Sequence, residues 1–229
     1  MKHTLLVKDW LSSFLSLLFP RCCVVCGRPL AKGEECICTV CNIKLPRTNY
    51  HLRKDNPVER LFWGQIPLER ATSFFFYEKG SDFRLILHRL KYGGQKEIGA
   101  IMGRYMAAEL LSSHFFQGID VIIPIPLHKK KQQIRGYNQS EWIARGITAV
   151  TGIPIDTESI LRKKNTETQT HKSILEGIFE LQRPEALVGK HILIVDDVLT
   201  TGSTTLACAS CLVKVEGIRI SILTLATVE

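Results

Sequence analysis

Long hydrophobic runs are scarce in this chain of 229 residues. The apolar stretch Trp10 to Phe19 is too short to span a bilayer, which takes about 20 consecutive apolar residues. It makes a poor export signal as well. Asp9 interrupts the basic residues Lys2 and Lys8, and Pro20, Arg21 and Cys22 stand where a small-x-small cleavage site would have to follow. Leu6, Trp10, Phe14, Leu17 and Leu18 recur at helical spacing instead. Residues 1–19 are therefore expected to form an amphipathic helix packed on the protein, with peripheral contact at the inner membrane or docking of a partner as the alternative. Acidic residues are in deficit too: 22 Asp and Glu face 30 Lys and Arg, a formal net charge of +8. That excess favours polyanionic partners such as pyrophosphate, nucleic acid or an acidic protein.

A disulfide pattern is also missing. The chain has eight cysteines, but four of them, Cys23, Cys26, Cys38 and Cys41, fall into two C-x-x-C pairs within 19 residues. Thiolates on a metal in the reducing cytoplasm are the expected state. Each pair can form a tight knuckle that puts both sulfurs on one ion, and two knuckles complete a tetrahedral Cys₄ site suited to Zn²⁺. Gly27 and Gly33 fit the turns this needs. A closed Cys₄ site is structural, and about 25 residues hold too little core to fold without the metal. A third pair, Cys208 and Cys211, lies in an apolar helical pattern and is expected to be simple packing.

The apolar content of 45% and charged content of 23% are those of an ordinary globular protein. We divide the chain into the helix 1–19, a zinc ribbon 20–46, a linker 47–70 and a main domain 71–229. In the main domain, strand patterns at Ala71 to Tyr77, Val121 to Ile125, Ile192 to Val195 and Ile218 to Leu225 alternate with helical ones. The helical patterns run from Phe83 to Leu90, Ile98 to Leu111, Tyr137 to Val150 and Thr204 to Val215. The alternation predicts an α/β fold with a mainly parallel sheet covered on both faces. Ligands of such folds bind at the carboxyl ends of strands.

Residues 192–205 carry most of the functional information. Ile192 to Val195 form a buried strand pattern that runs onto Asp196 and Asp197; a loop of Thr200, Thr201, Gly202 and Ser203 follows, and a helix opens near Thr204. Hydroxyls and helix-start N–H groups attract a phosphate, and Gly202 lets the backbone come close. The two carboxylates can accept from ribose hydroxyls or help hold Mg²⁺. Basic segments lie near other element ends: Lys91 in His88-Arg-Leu-Lys-Tyr92, and Lys129 to Lys131 with Arg135 of Arg-Gly-Tyr-Asn-Gln139 in one expected loop after the strand pattern Val121 to Ile125. Arg135 is suited to a bidentate phosphate contact. The polar stretch Arg162 to Ser173 would suit a mobile hood over the site.

The motif at 192–205 resembles the phosphoribosyl pyrophosphate signature of type I phosphoribosyltransferases. The order of parts from about Phe19 onward resembles the ComF family of competence proteins: Cys₄ ribbon, His88-Arg-Leu-Lys-Tyr92, Arg-Gly-Tyr-Asn-Gln, Arg-x₃-Thr-x₂-Gln, then Gly189-Lys190 leading to Asp-Asp-Val-Leu-Thr-Thr-Gly. The resemblance implies a type I phosphoribosyltransferase fold behind a zinc ribbon. It also implies a role in the uptake or processing of single-stranded DNA, with DNA-uptake or recombination proteins as partners. Phosphoribosyl pyrophosphate with Mg²⁺, or a nucleotide 5′-phosphate, would be the ligand. Asp196, Asp197, Thr200, Thr201, Gly202, Ser203, Thr204 and Lys91 would bind it, and Asp196, Asp197 and Arg135 would act in any transfer. Two departures stand out. Family members carry an Arg after the hood, whereas Ser173 to Glu176 run straight into Gly177-Ile-Phe179, so the hood reads as shortened. The 6-oxopurine enzymes place an Asp four residues after the first acid, and here that residue is Thr200.

Two function classes therefore stay open: phosphoribosyl transfer to an unidentified base, as in nucleotide salvage, or a binding module for phosphorylated ligands and single-stranded DNA. Basic residues at 84–96, 129–135 and 162–172 would track phosphates. Tyr92, Tyr137, Trp142 and the run Phe74 to Tyr77 would offer stacking platforms, although most of them are expected in the core.

Overall fold

A computed structural model describes residues 20–163 and 177–228. The helix expected over residues 1–19 and most of the hood after Arg162 lie outside the described residues. In chain order come α1 (Thr39–Lys44), α2 (Pro57–Arg60), β1 (Leu68–Phe76), α3 (Arg84–Tyr92) and α4 (Glu97–Leu111). Then follow β2 (Val121–Pro124), α5 (Lys129–Arg135), α6 (Gln139–Thr151) and the short strands β3 (Ile160–Arg162) and β4 (Phe179–Leu181). β5 (His191–Leu199), α7 (Ser203–Leu212) and β6 (Arg219–Thr227) close the chain. No helix among the described residues is long and apolar enough to cross a membrane.

The expected α/β class with a parallel sheet is what the chain forms. Four parallel strands run in the order β1-β6-β5-β2, and β3 and β4 make a separate antiparallel pair. Ile192 to Val195 of β5 are completely buried because both faces of the sheet are covered. Leu193 and Val195 join the core beneath α3, α4 and α6, whereas Ile192 and Ile194 join the core beneath α7. Helices α4 and α6 approach closely through glycine. A Cβ on Gly146 would stand 2.1 Å from the carbonyl oxygen of Ala100, and one on Gly103 would stand 2.2 Å from that of Ile143.

The cysteine-bearing segment is not a detached unit. Cys23, Val24, Cys36 and Ile37 are part of the same core as Met102 and Met106 of α4. Ion pairs between Glu35 and Arg104 and between Arg47 and Glu109 fix the segment to that helix. Residues 47–70 are likewise packed. Asn56 and Glu59 form a capping box at the start of α2, and Val58 and Phe62 are buried in the core on the α7 side.

Two segments differ from the expectation. The loop expected around the cations of 129–135 is the helix α5, capped by His128 and closed by Gly136 at φ 78°. The motif strand also runs past its acids. Asp196 pairs with Thr224, Val198 with Ala226 and Leu199 with Thr227, so tertiary pairing overrides the low strand preference of Asp.

Candidate functional site

The end of β5 and the start of α7 create the first part of the site. Gly202 adopts φ 74°, and a Cβ there would also press on the Phe62 ring at 3.3 Å, so only glycine fits this turn. The Thr201 and Ser203 hydroxyls lie 2.8 Å apart, and the Ser203 N–H donates to Thr201 Oγ1 at 3.4 Å. A shallow hollow of about 30 Å³, lined by Thr200 to Thr205 together with Asp196, sits at this helix start. The first N–H groups of a helix lack intrahelical acceptors, and the helix dipole adds positive potential there.

Next to it the two acids are held in different ways. Asp196 Oδ1 accepts from the Ser140 hydroxyl at 2.9 Å and from the Asp197 N–H at 2.8 Å. Asp197 Oδ2 faces Lys91 Nζ at 3.1 Å. Burial, and then the charge of Asp197, push the Asp196 carboxyl up to about 7 despite those hydrogen bonds and the nearby Lys91. Burial pulls the Arg162 guanidinium below its ordinary value, and Asp196 works in the opposite direction.

A hollow of about 240 Å³ opens over this pair. Lys91, Lys131, Arg135 and Arg162 contribute its cations, Asp196 and Asp197 its anions, and Gln139, Ser140 and Thr204 neutral polar groups. Every residue of Arg-Gly-Tyr-Asn-Gln has a task around it. Arg135 Nη1 donates to Gln139 Oε1 at 2.9 Å, and its guanidinium lies 5.4 Å from the Tyr92 ring centroid. Gly136 takes the left-handed turn that ends α5. The Tyr137 hydroxyl donates to the Leu90 carbonyl at 2.5 Å, tying the start of α6 to α3. Asn138 caps α6 and donates to the Ile125 carbonyl at 3.0 Å. Gln139 is only 1% exposed, yet its Nε2 has no hydrogen-bond partner among the described residues.

The structure thus brings Asp196, Asp197, Lys91, Arg135 and Thr204 to one hollow, with Thr200, Thr201, Gly202 and Ser203 in the one adjoining it. Ser140, Gln139 and Arg162 belong to the same place and were not singled out from sequence. Gln139 and Arg162 lay within quoted motifs, at the end of Arg-Gly-Tyr-Asn-Gln and at the head of Arg-x₃-Thr-x₂-Gln. Ser140 carried no such signal. Among the aromatic platforms considered, Phe74, Phe75 and Tyr137 are buried core, whereas Tyr92 is exposed.

The cysteines form a separate centre. The Sγ atoms of Cys23, Cys26, Cys38 and Cys41 all lie within 4.8 Å of one another. Four thiolates on a tetrahedral zinc would stand about 3.8 Å apart, so the donor set and spacing can hold a metal such as zinc. Gly27, at φ 74°, closes the first knuckle by donating to the Cys23 carbonyl at 2.9 Å. Backbone N–H groups turn onto the sulfurs, Cys38 N on Cys23 Sγ at 3.3 Å and Cys41 N on Cys38 Sγ at 3.5 Å. Cys36 points the other way, toward Met102 Sδ at 3.9 Å, and burial pushes its thiol up to about 12. Cys22 is exposed, and Cys208 is buried within α7.

No protein-family model matches the chain. Among curated proteins, the DNA utilization protein YhgH of Escherichia coli O157:H7 is 31% identical over 219 residues, covering 86% of this chain and 93% of the relative. The competence protein ComFC of Bacillus subtilis is 28% identical over 210 residues, covering 90% and 83%. The competence protein F of Haemophilus influenzae is 31% identical over 130 residues, covering 52% and 57%. Among solved structures, a hypoxanthine phosphoribosyltransferase of Staphylococcus aureus matches with a TM-score of 0.38 and 17% identity, over 66% of this chain and 73% of the other. Likeness of that degree says nothing about a ligand. Identity of 31% across nearly the whole of YhgH, with the ComF competence proteins beside it, establishes that the chain belongs to the ComF family.

Proposed function

We propose that the chain binds the phosphoribosyl group of phosphoribosyl pyrophosphate, or of a nucleotide 5′-phosphate, at the end of β5, and that this site serves the handling of single-stranded DNA in the cytoplasm. One arrangement carries the reading: adjacent carboxylates, a lysine and a glycine-led helix start meet around one cationic hollow. Thr200 to Thr204 take the 5′-phosphate. Asp196 and Asp197 accept from the ribose hydroxyls, directly or through water on Mg²⁺. Lys91 and Arg135 face the diphosphate, whose remaining charge Mg²⁺ neutralises when bound. The cysteine centre, loaded with Zn²⁺, has a structural role. The names of the relatives, DNA utilization and competence proteins, support the DNA side of the reading.

Calorimetric titration of zinc-loaded protein with phosphoribosyl pyrophosphate and Mg²⁺ tests the site. Binding in the native chain that Asp196→Asn with Asp197→Asn abolishes is the expected result. Absence of binding in the native chain would overturn it, and single-stranded DNA would then be the next ligand to titrate.

A further inference from the structure

Cations lie over aromatic rings at several places, and most of the rings that solvent reaches fall in one strip. Arg47, Arg70 and Arg162 cover Phe74, Phe115 and Phe179, which are buried. The others differ. The Arg135 guanidinium lies over Tyr92, which is 69% exposed. Lys96 Nζ lies 4.8 Å and the Arg145 guanidinium 5.0 Å from the ring centroid of the half-buried Trp142. These five residues sit where the end of α3, the start of α4 and the start of α6 converge. The Tyr137 hydroxyl joins the start of α6 to α3, and a Cβ on Gly99 of α4 would stand 3.0 Å from Trp142 Cβ. Arg135 also lines the cationic hollow, so the strip begins at its rim. The remaining pair is Arg60 over Trp63, a single cation on the turn beside Phe62. The three consecutive lysines of α5 have no ring among them, so that helix offers charge without a stacking face. Two acids border the strip: Glu141 pairs with Arg145 at 2.7 Å, and Glu97 opens α4.

We propose that this strip is the track of a single-stranded polynucleotide leaving the cationic hollow, with its phosphates on Arg135, Lys96 and Arg145 and a base on the Trp142 ring. The inference rests on the DNA side of the reading above, not on phosphoribosyl binding, and gives that side a surface. A strand presents a phosphate and a base face at every residue, and cations interleaved with rings match both. A ring beneath a flexible cation also holds it near one place before the strand arrives. Arg145 is held twice, by Trp142 and by Glu141. A base that takes a face of Trp142 displaces the cation there, which turns to the neighbouring phosphate. Paired bases offer no such face, so the strip favours a single strand over a duplex.

Fluorescence anisotropy of labelled oligothymidylate on the zinc-loaded chain tests the track across a range of salt. Three phosphate contacts predict that log K falls with log salt at a slope of about −2. Lys96→Gln with Arg145→Gln should bring the slope to roughly −0.7 and weaken binding at least about tenfold at low salt. Trp142→Leu keeps an apolar body and removes the ring, so affinity should fall roughly tenfold while the slope holds. Both variants should bind phosphoribosyl pyrophosphate as the native chain does. The chain has three tryptophans, so Trp10→Phe with Trp63→Phe leaves Trp142 as the emitter, and the strand should quench it. Strand binding that neither variant weakens would overturn the track and leave DNA binding to another surface. Equal affinity for a duplex or for inorganic polyphosphate would overturn it too, since charge alone would then account for binding. If the native chain binds no strand, the DNA side of the reading and the track fall together, whatever phosphoribosyl pyrophosphate does.

Discussion

Lys91 Nζ stands 3.1 Å from Asp197 Oδ2, so the last turn of α3 is joined by charge to the end of β5. The pair is mostly shielded from solvent, and beside it lies the Asp196 carboxyl, pushed up by burial and by the charge of Asp197. Replacing the lysine removes the cation nearest two adjacent acids. Lys91→Met is expected to weaken phosphoribosyl pyrophosphate binding at least tenfold. Its cost in folding stability should be on the order of 1 kcal/mol near pH 8 and smaller near pH 5, where Asp196 holds a proton. Calorimetry and urea unfolding at the two pH values read both effects.

Asp196 titrates in the opposite sense to an ordinary salt-bridged carboxylate. Burial and Asp197 raise it from 3.8 to about 7, so between those values the native chain holds a proton that the unfolded chain has released. Stability therefore falls as pH rises through this window and levels off above it. Asp196→Asn keeps the shape and cannot titrate. It should flatten the slope, so that the variant gains on the native chain between about pH 5 and pH 8 in denaturant unfolding. Native binding of Mg²⁺ with phosphoribosyl pyrophosphate should strengthen as pH rises through 7. A native stability curve that rises across the same window would contradict this account.

Gly146 sets the distance between α4 and α6, since a Cβ there would meet the Ala100 carbonyl at 2.1 Å. Backbone cannot rotate away as a side chain can, so Gly146→Ala must push the helices apart. Loss of about 3 kcal/mol is expected, at the upper end of overpacking costs. Gly80→Ala is the control, because a Cβ there meets nothing within 4 Å and the residue has no positive φ. The displaced α6 carries Gln139 and Ser140, so ligand affinity should fall together with stability in the Gly146 variant alone.

The cysteine centre leans on the same helix. Val24 and Ile37 share the core with Met102, and Glu35 pairs with Arg104, so stability of the metal centre is shared with α4. One zinc per chain is expected in elemental analysis, and Cys38→Ser should lose it. Chelation should lower the melting temperature by on the order of 5 °C. Hydrogen exchange should quicken over residues 22–45 and at the ribbon-facing turns of α4 before it does in β5. Unchanged exchange in α4 after metal loss would separate the two.

The sequence was most legible where one residue's chemistry and its neighbours' spacing point the same way. Ile192 to Val195 read as a strand buried on both faces, and Asp196 to Thr204 read as a ligand loop, because each feature is local. Cys23, Cys26, Cys38 and Cys41 were separable from Cys22 and Cys36 by spacing alone. The α5 segment read as a loop because Lys129 to Arg135 has no apolar face. Its one large apolar residue, Ile134, is 85% exposed, and the helix is set by the His128 cap and by Gly136. Strands β3 and β4 have three residues each, too few to show a period. Ser140, Gln139 and Arg162 reach the site only because α6 and β3 dock beside β5; the motifs around Gln139 and Arg162 hint at a role there, and nothing around Ser140 does.

Gln139 carries the sharpest prediction, because its fold role and its site role make different forecasts for ligand affinity. The side chain is 1% exposed, its Oε1 accepts from Arg135, and its Nε2 has no partner among the described residues. A buried donor left unsatisfied costs about 1–3 kcal/mol, and removing it with an apolar group of similar size restores part of that. Gln139→Leu breaks the hydrogen bond to Arg135 and removes the orphan donor together, so stability should stay within about 1 kcal/mol of native under either role. If the glutamine serves only the fold, affinity stays as it was; the alternative is that its amide awaits a ligand oxygen in the cationic hollow. Affinity for phosphoribosyl pyrophosphate should then fall about tenfold, the value of one hydrogen bond to a charged acceptor. Gln139→Glu should be worse still for binding, since it puts a negative charge where an anion is to sit, although it can still pair with Arg135. Melting curves and calorimetry on the two variants separate the roles: stable chains that bind weakly point to a ligand contact, and stable chains that bind normally point to a structural one.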